Sequence, residues 1–144
     1  MFENLMAQSL LFNAGLASKE ELLHEIDSEF IGTPDSDILF DLEWCFSDVN
    51  KIISTIRRYA EEFKIDYDVL GRVLIIKLST IYSNGGIGIH EFGSKVYSIW
   101  SLLPESIKLV EPFWTMSYAD DPLSWGEEKQ TRNLYEKMFK FYNV

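Results

Sequence analysis

Val49, Ile52, Ile53, Ile56, Tyr59, Ala60 and Phe63 recur three and four positions apart. A helix of 3.6 residues per turn gathers all seven on one face, whereas a strand would divide them between two. The stretch can bury its apolar groups only as an amphipathic helix over 49–64, with Ser47 or Asp48 as N-cap. The same period recurs along the chain. It predicts helices over 2–13 (Leu5, Met6, Leu10, Phe12), 36–46 (Ile38, Leu39, Leu42, Cys45, Phe46) and 89–102 (Ile89, Phe92, Val96, Ile99, Trp100). Helices over 19–30 and 125–142 follow Ser18-x-x-Glu21 and Ser124-x-x-Glu127, which read as capping boxes. One more follows Asp66 over 67–83. Gly15, Asn84-Gly85-Gly86 and Pro104 supply stops. Val73–Leu78 is apolar enough for a buried strand but lies inside the longer helical pattern. Pro104, Pro112 and Pro122 make 104–123 an irregular aromatic loop, with a turn of helix near 105–110. The fold expected is all-α: one domain over 1–144, a helical bundle of about six or seven helices joined by short connections.

The net charge is −10, and its position matters more than its size. Residues 1–48 hold 11 acids and one base, Lys19; the remainder holds 12 of each. Such a surface repels nucleic acid and anionic membrane and attracts a basic protein. A single cysteine, Cys45, excludes an internal disulfide. The N-terminus lacks the basic n-region of a secretory signal, and Val73-Leu74-Ile75-Ile76 is far too short to span a membrane. These features lead us to expect a soluble cytoplasmic protein.

On a helical wheel, Ile38, Leu39, Leu42, Cys45 and Phe46 share one side of 36–48. Asp37, Asp41, Trp44 and Asp48 share another. Like charges at i, i+4 cost a helix about 0.2–0.5 kcal/mol per pair, and interior Asp is a poor helix former. The stripe therefore carries a local stability cost that folding alone does not explain. Glu21 and Glu25 lie opposite the apolar face of the preceding helix, and an antiparallel pairing would merge the two sets into one patch. Carboxylates there would steer a basic protein, with Trp44 as the anchor. The alternative is a solvated face whose acids keep the protein dispersed. Residues 111–121 form a second candidate edge; the reading favoured for them is a loop laid over the core, with Phe113 and Trp114 turned inward.

Signs of chemistry are few. Glu21-x-x-His24 is half of a di-iron carboxylate motif without its second half. Gly85-Gly86-Ile87-Gly88 follows a helix and lacks a basic residue, so it reads as a turn and not a phosphate cradle. Cys45 sits among acids, which oppose thiolate formation, and on an apolar face. Paired carboxylates leave a carboxylate-dependent hydrolase open by residue type alone. The expectation is no enzyme, no cofactor and no metal site.

This profile resembles the small, acidic, helix-rich immunity proteins that accompany secreted bacterial toxins, including partners of contact-dependent growth inhibition toxins and nuclease bacteriocins. The resemblance spans the chain but is one of size, charge placement and absent catalytic residues. It carries over no signature residue. It implies a cytoplasmic antitoxin that binds a toxin's basic catalytic domain, a nuclease being the fitting target for a partner without a membrane span. Glu21, Glu25, Asp37, Asp41, Trp44 and Asp48 are the contacts chosen from the residues themselves. A general adaptor for another basic protein shares the same surface.

Overall fold

The computed structural model describes residues 2–32, 41–42, 48–62 and 65–142, and for 30–32, 49 and 60–62 the backbone alone. The chain is all-helical across these residues: eight α-helices and one short 3₁₀ helix, more than the six or seven expected. They are α1 (Phe2–Asn13), α2 (Lys19–Gly32), α3 (Val49–Glu62), α4 (Tyr67–Asn84), α5 (Ile89–Ser101), α6 (Glu105–Lys108), α7 (Phe113–Tyr118), the 3₁₀ turn Asp121–Trp125, and α8 (Glu128–Phe139). The helix expected over 36–46 lies outside the described residues except at Asp41 and Leu42. Contacts divide the chain into two compact units, Met1–Leu70 and Gly71–Val144, with the boundary inside α4.

In the first unit, α1 packs against both α2 and α3. Every residue from Leu5 to Leu11 is buried, Gln8 and Ser9 included. A helix covered on all sides needs no polar stripe, and the Ser9 hydroxyl is satisfied by donating to the Met6 carbonyl at 2.8 Å. Leu22 and Ile26 of α2, and Ile52 and Ile56 of α3, complete this core with Leu42. The four helical residues lie on the apolar faces that periodicity assigns. The Gly15 stop takes a specific form. The Leu16 N–H donates to the Leu11 carbonyl at 2.8 Å and the Gly15 N–H to Phe12 at 2.9 Å, with Gly15 at φ 80°. This is a Schellman closure, and its left-handed residue strains any side chain. At the start of α4, Asp66 Oδ1 accepts the N–H groups of Asp68 and Val69, while the Asp66 N–H donates to Glu3 Oε1 at 3.1 Å.

The second unit is where the sequence reading needs correction. The turn of helix expected near 105–110 forms as α6, but the rest of 104–123 is not an irregular loop. Pro104 and Pro112 occupy the N-cap positions of α6 and α7, and Pro122 stands in the first turn of the 3₁₀ helix. Proline costs nothing at a helix start, where its absent N–H has no intrahelical partner. Three prolines therefore open three short helices. The Ser124-x-x-Glu127 box does not form either. The Ser124 hydroxyl donates to the Asp121 carbonyl, α8 begins at Glu128, and its N-cap Glu127 makes no side-chain cap bond.

The core of this unit is aromatic. Phe92 meets Tyr135 edge-to-face at 5.1 Å between centroids, and Tyr82 contacts Phe92 at 5.4 Å and Phe139 at 5.3 Å. Such pairs add about 0.5–1.5 kcal/mol each beyond area burial. The Tyr135 and Thr131 hydroxyls are buried without a hydrogen-bond partner among the described residues. Gly93 permits the close approach: a Cβ there would stand 2.8 Å from Asp120 Cβ and 3.3 Å from the Tyr135 oxygen.

Two outcomes follow from this packing. Gly93→Ala should lower unfolding stability by about 1–3 kcal/mol in a urea titration, because the Asp120 main-chain-proximal carbon cannot swing away. Burial, reinforced by the neighbouring Asp121 carboxylate, raises the Asp120 carboxyl above its ordinary value. The folded state therefore holds that proton more tightly than the unfolded chain. Its contribution to stability is complete below the unfolded pKa and is lost as pH rises through the folded one. Asp120→Asn should accordingly raise Tm at pH 7, with the gain shrinking in scans taken at progressively lower pH.

Candidate functional site

Four of the six side chains expected to form an acidic docking patch are described. Asp37 and Trp44 lie outside the described residues, as does Cys45. Three of the four have structural employment. Glu21 closes the capping box foreseen from the sequence: its N–H donates to Ser18 Oγ at 3.1 Å, and its Oε1 accepts from the Ser18 N–H at 3.4 Å and hydroxyl at 3.2 Å. Asp48 is the N-cap of α3, accepting from the Lys51 N–H at 3.3 Å. Asp41 Oδ2 accepts a 2.6 Å hydrogen bond from the Tyr59 hydroxyl and stands 3.5 Å from Arg58 Nη2. The short O–H···O⁻ contact is charge-assisted; the half-exposed ion pair adds little.

These contacts correct one step of the sequence argument. The cost of placing Asp41 and Asp48 on a helix face is offset inside the fold, by a hydroxyl and by a helix N-terminus. Neither residue needs a partner protein to explain its presence. Glu25 differs: it makes no hydrogen bond or ion pair among the described residues.

Around Glu25 the structure gathers acids that the wheel analysis did not single out. Glu29, one turn further along α2, has its carboxyl raised chiefly by burial; the N-terminal ammonium opposes this, and the Glu25 and Glu3 carboxylates add to it. For Glu3, burial pushes upward, but the N–H groups of Asp66 and of Glu3 itself, together with the N-terminal ammonium, outweigh it and the pKa falls below its ordinary value. Glu3, Glu25 and Glu29 thus form a cluster spanning α1 and α2. The i, i+4 spacing of Glu25 and Glu29 was visible in the sequence; the approach of Glu3 depends on how α1 packs on α2.

The segment 111–121 departs from the loop expected over the core. It forms α7, with Phe113 buried as expected but Trp114 40% exposed. Trp114 lies between Trp100, at 6.3 Å, and Tyr118, at 6.0 Å between centroids. Glu111 Oε2 accepts both the N–H and the hydroxyl of Thr115, so the carboxylate satisfies a free donor in the first turn of α7. Beside it opens a cleft of about 240 Å³. Glu111, Pro112, Thr115 and Tyr118 form one wall. Leu134, Lys137, Met138 and Phe141 form the other.

Charge follows the division into units. Met1–Leu70 holds 15 Asp and Glu against 5 Lys and Arg, a net −10; Gly71–Val144 holds 8 of each and nets zero. No three His, Cys, Asp or Glu side chains converge as a metal site requires among the described residues, and none of their helices is long and apolar enough to cross a membrane. No family model, no curated protein and no solved structure matches the chain.

The division between employed and unemployed acids can be measured. Asp48→Ala should cost about 0.5–2 kcal/mol of unfolding stability, the usual loss for a helix N-cap. Ser18→Ala should cost a similar amount by opening the α2 box. Glu25→Gln should leave stability unchanged or slightly improved, since it relieves repulsion on Glu29.

Proposed function

We propose that this protein is a non-enzymatic, cytoplasmic inhibitor that captures a basic protein partner through its acidic first unit, the partner being the catalytic domain of a toxin that acts on nucleic acid. The observation that supports this most is the confinement of the whole charge excess to Met1–Leu70, while the rest of the chain is neutral. Solubility alone would be served by acids spread over both units. A nuclease presents a cationic groove to phosphates, and an acidic surface of this kind is its electrostatic complement. Matched potentials raise association rates toward ~10⁸ M⁻¹s⁻¹ at low salt, and speed decides the outcome when each free toxin molecule can cut genetic material.

Glu25 is the described residue best suited to steering, with Glu3 and Glu29 beside it and Asp37 and Trp44 as further contacts. Glu21, Asp41 and Asp48 contribute their charge to the field while their carboxylates serve the fold.

The proposal places the gene directly downstream of a toxin's C-terminal coding region. Co-expressed with that toxin domain, the protein should protect growth and form a one-to-one complex. Glu25→Lys combined with Asp37→Lys should slow association by about tenfold at low salt, with little change in dissociation, because charges of this class act mainly on encounter. Stopped-flow measurement across a salt series reads both rates. An association rate indifferent to salt and to the charge reversal would remove the acidic unit from the mechanism, and a neighbouring gene unrelated to any toxin would favour an adaptor for some other basic protein.

A further inference from the structure

The cleft beside α7 belongs to the neutral unit and plays no part in the steering argument. We infer that it is a receptor for a single guanidinium-bearing side chain, an arginine presented by a protein partner. That the carrier is a basic protein rests on the function proposed above; the chemistry of the cleft does not.

Size is the first argument. At about 240 Å³ the cleft falls below the roughly 300–1,000 Å³ range of sites for drug-sized ligands, and it suits one long side chain. The wall chemistry is the second. Pro112 and Met138 are buried, and with Leu134 they give an apolar lining for a trimethylene stem. Tyr118 and the half-exposed Phe141 offer ring surfaces at the lining, and a guanidinium stacks on aromatic faces more readily than an ammonium does.

The charged groups decide the sign of the guest. Glu111 is exposed, and its Oε2 is held by two donors from Thr115. The carboxylate is therefore fixed before any guest arrives, with Oε1 left to accept. The ammonium of Lys137, the other charged lining residue, makes no ion pair or hydrogen bond among the described residues. Its flexible stem can carry the ammonium into water. A fixed charge contributes more to binding than a mobile one, because no ordering cost is added on association. The cleft consequently favours a cation, and a planar donor array over a compact one.

Titration of the full-length protein with Nα-acetyl-arginine amide, followed by amide chemical shifts, tests this directly. The expected result is saturable shifts centred on Glu111, Thr115, Tyr118 and Met138. The isosteric, uncharged Nα-acetyl-citrulline amide should produce no saturable response. Glu111→Gln should weaken arginine binding about tenfold, the equivalent of one charge-assisted hydrogen bond. Its amide oxygen can still cap α7, so the fold survives. Phe141→Ala, at a half-exposed position, should weaken binding several-fold by an independent route. Lys137→Gln should leave binding unchanged or tighten it. Equal binding of the citrulline probe, an unchanged affinity in Glu111→Gln, or preferential binding of Nα-acetyl-glutamate amide that is lost in Lys137→Gln would each overturn the inference. Arginine binding here together with a salt-independent association in the capture experiment would leave the receptor standing and remove the steering reading; the reverse pattern would do the opposite.

Discussion

Fifteen carboxylates within the first 70 residues must be accommodated against their mutual repulsion, with only five basic side chains to neutralise them. The fold answers in part by stationing acids at helix N-termini. Glu21 serves α2 by accepting the Ser18 N–H, Asp48 serves α3 by accepting the Lys51 N–H, and Asp66 serves α4 by accepting those of Asp68 and Val69. Glu3 in turn accepts the Asp66 N–H, which links the first turn of α1 to the start of α4. A carboxylate near a helix N-terminus also meets the positive end of the macrodipole, worth about 0.3–1 kcal/mol at exposed positions. These placements turn part of the charge into structure.

The device has a limit. Glu25 and Glu29 sit in the body of α2, away from its N-terminus. The raised Glu29 carboxyl records both its burial and the closeness of Glu25 and Glu3. The N-terminal ammonium offsets part of the repulsion within this cluster, at Glu3 and Glu29.

Sequence periodicity made the long helices legible because each buries one stripe: Ile52 and Ile56, Leu22 and Ile26, Phe92 and Val96 all lie where a 3.6-residue repeat puts them. The second unit was legible in composition but not in arrangement. Pro104, Pro112 and Pro122 are ambiguous in a sequence, since proline ends one helix and opens another by the same restriction on φ. Only the three-dimensional path shows that they open α6, α7 and the 3₁₀ turn. Glu127 failed as a capping partner for a related reason. Ser124 falls inside that 3₁₀ turn, and the left-handed Gly126 separates it from α8. The acidic stripe was legible as charge, but the Tyr59 and Arg58 contacts to Asp41 span 18 and 17 residues and no local pattern announces them.

The neutral second unit exposes several large apolar side chains among its balanced charges: Tyr97, Val110 and Trp114, with Leu109 74% exposed. Long-range charge governs how often two proteins meet, and it fades with salt; short-range apolar contact and desolvated hydrogen bonds govern how long they stay. In the capture proposed here, the acidic first unit would set the rate of encounter, while Trp44, the exposed apolar side chains of the second unit and the Glu111 cleft would set the lifetime of the complex.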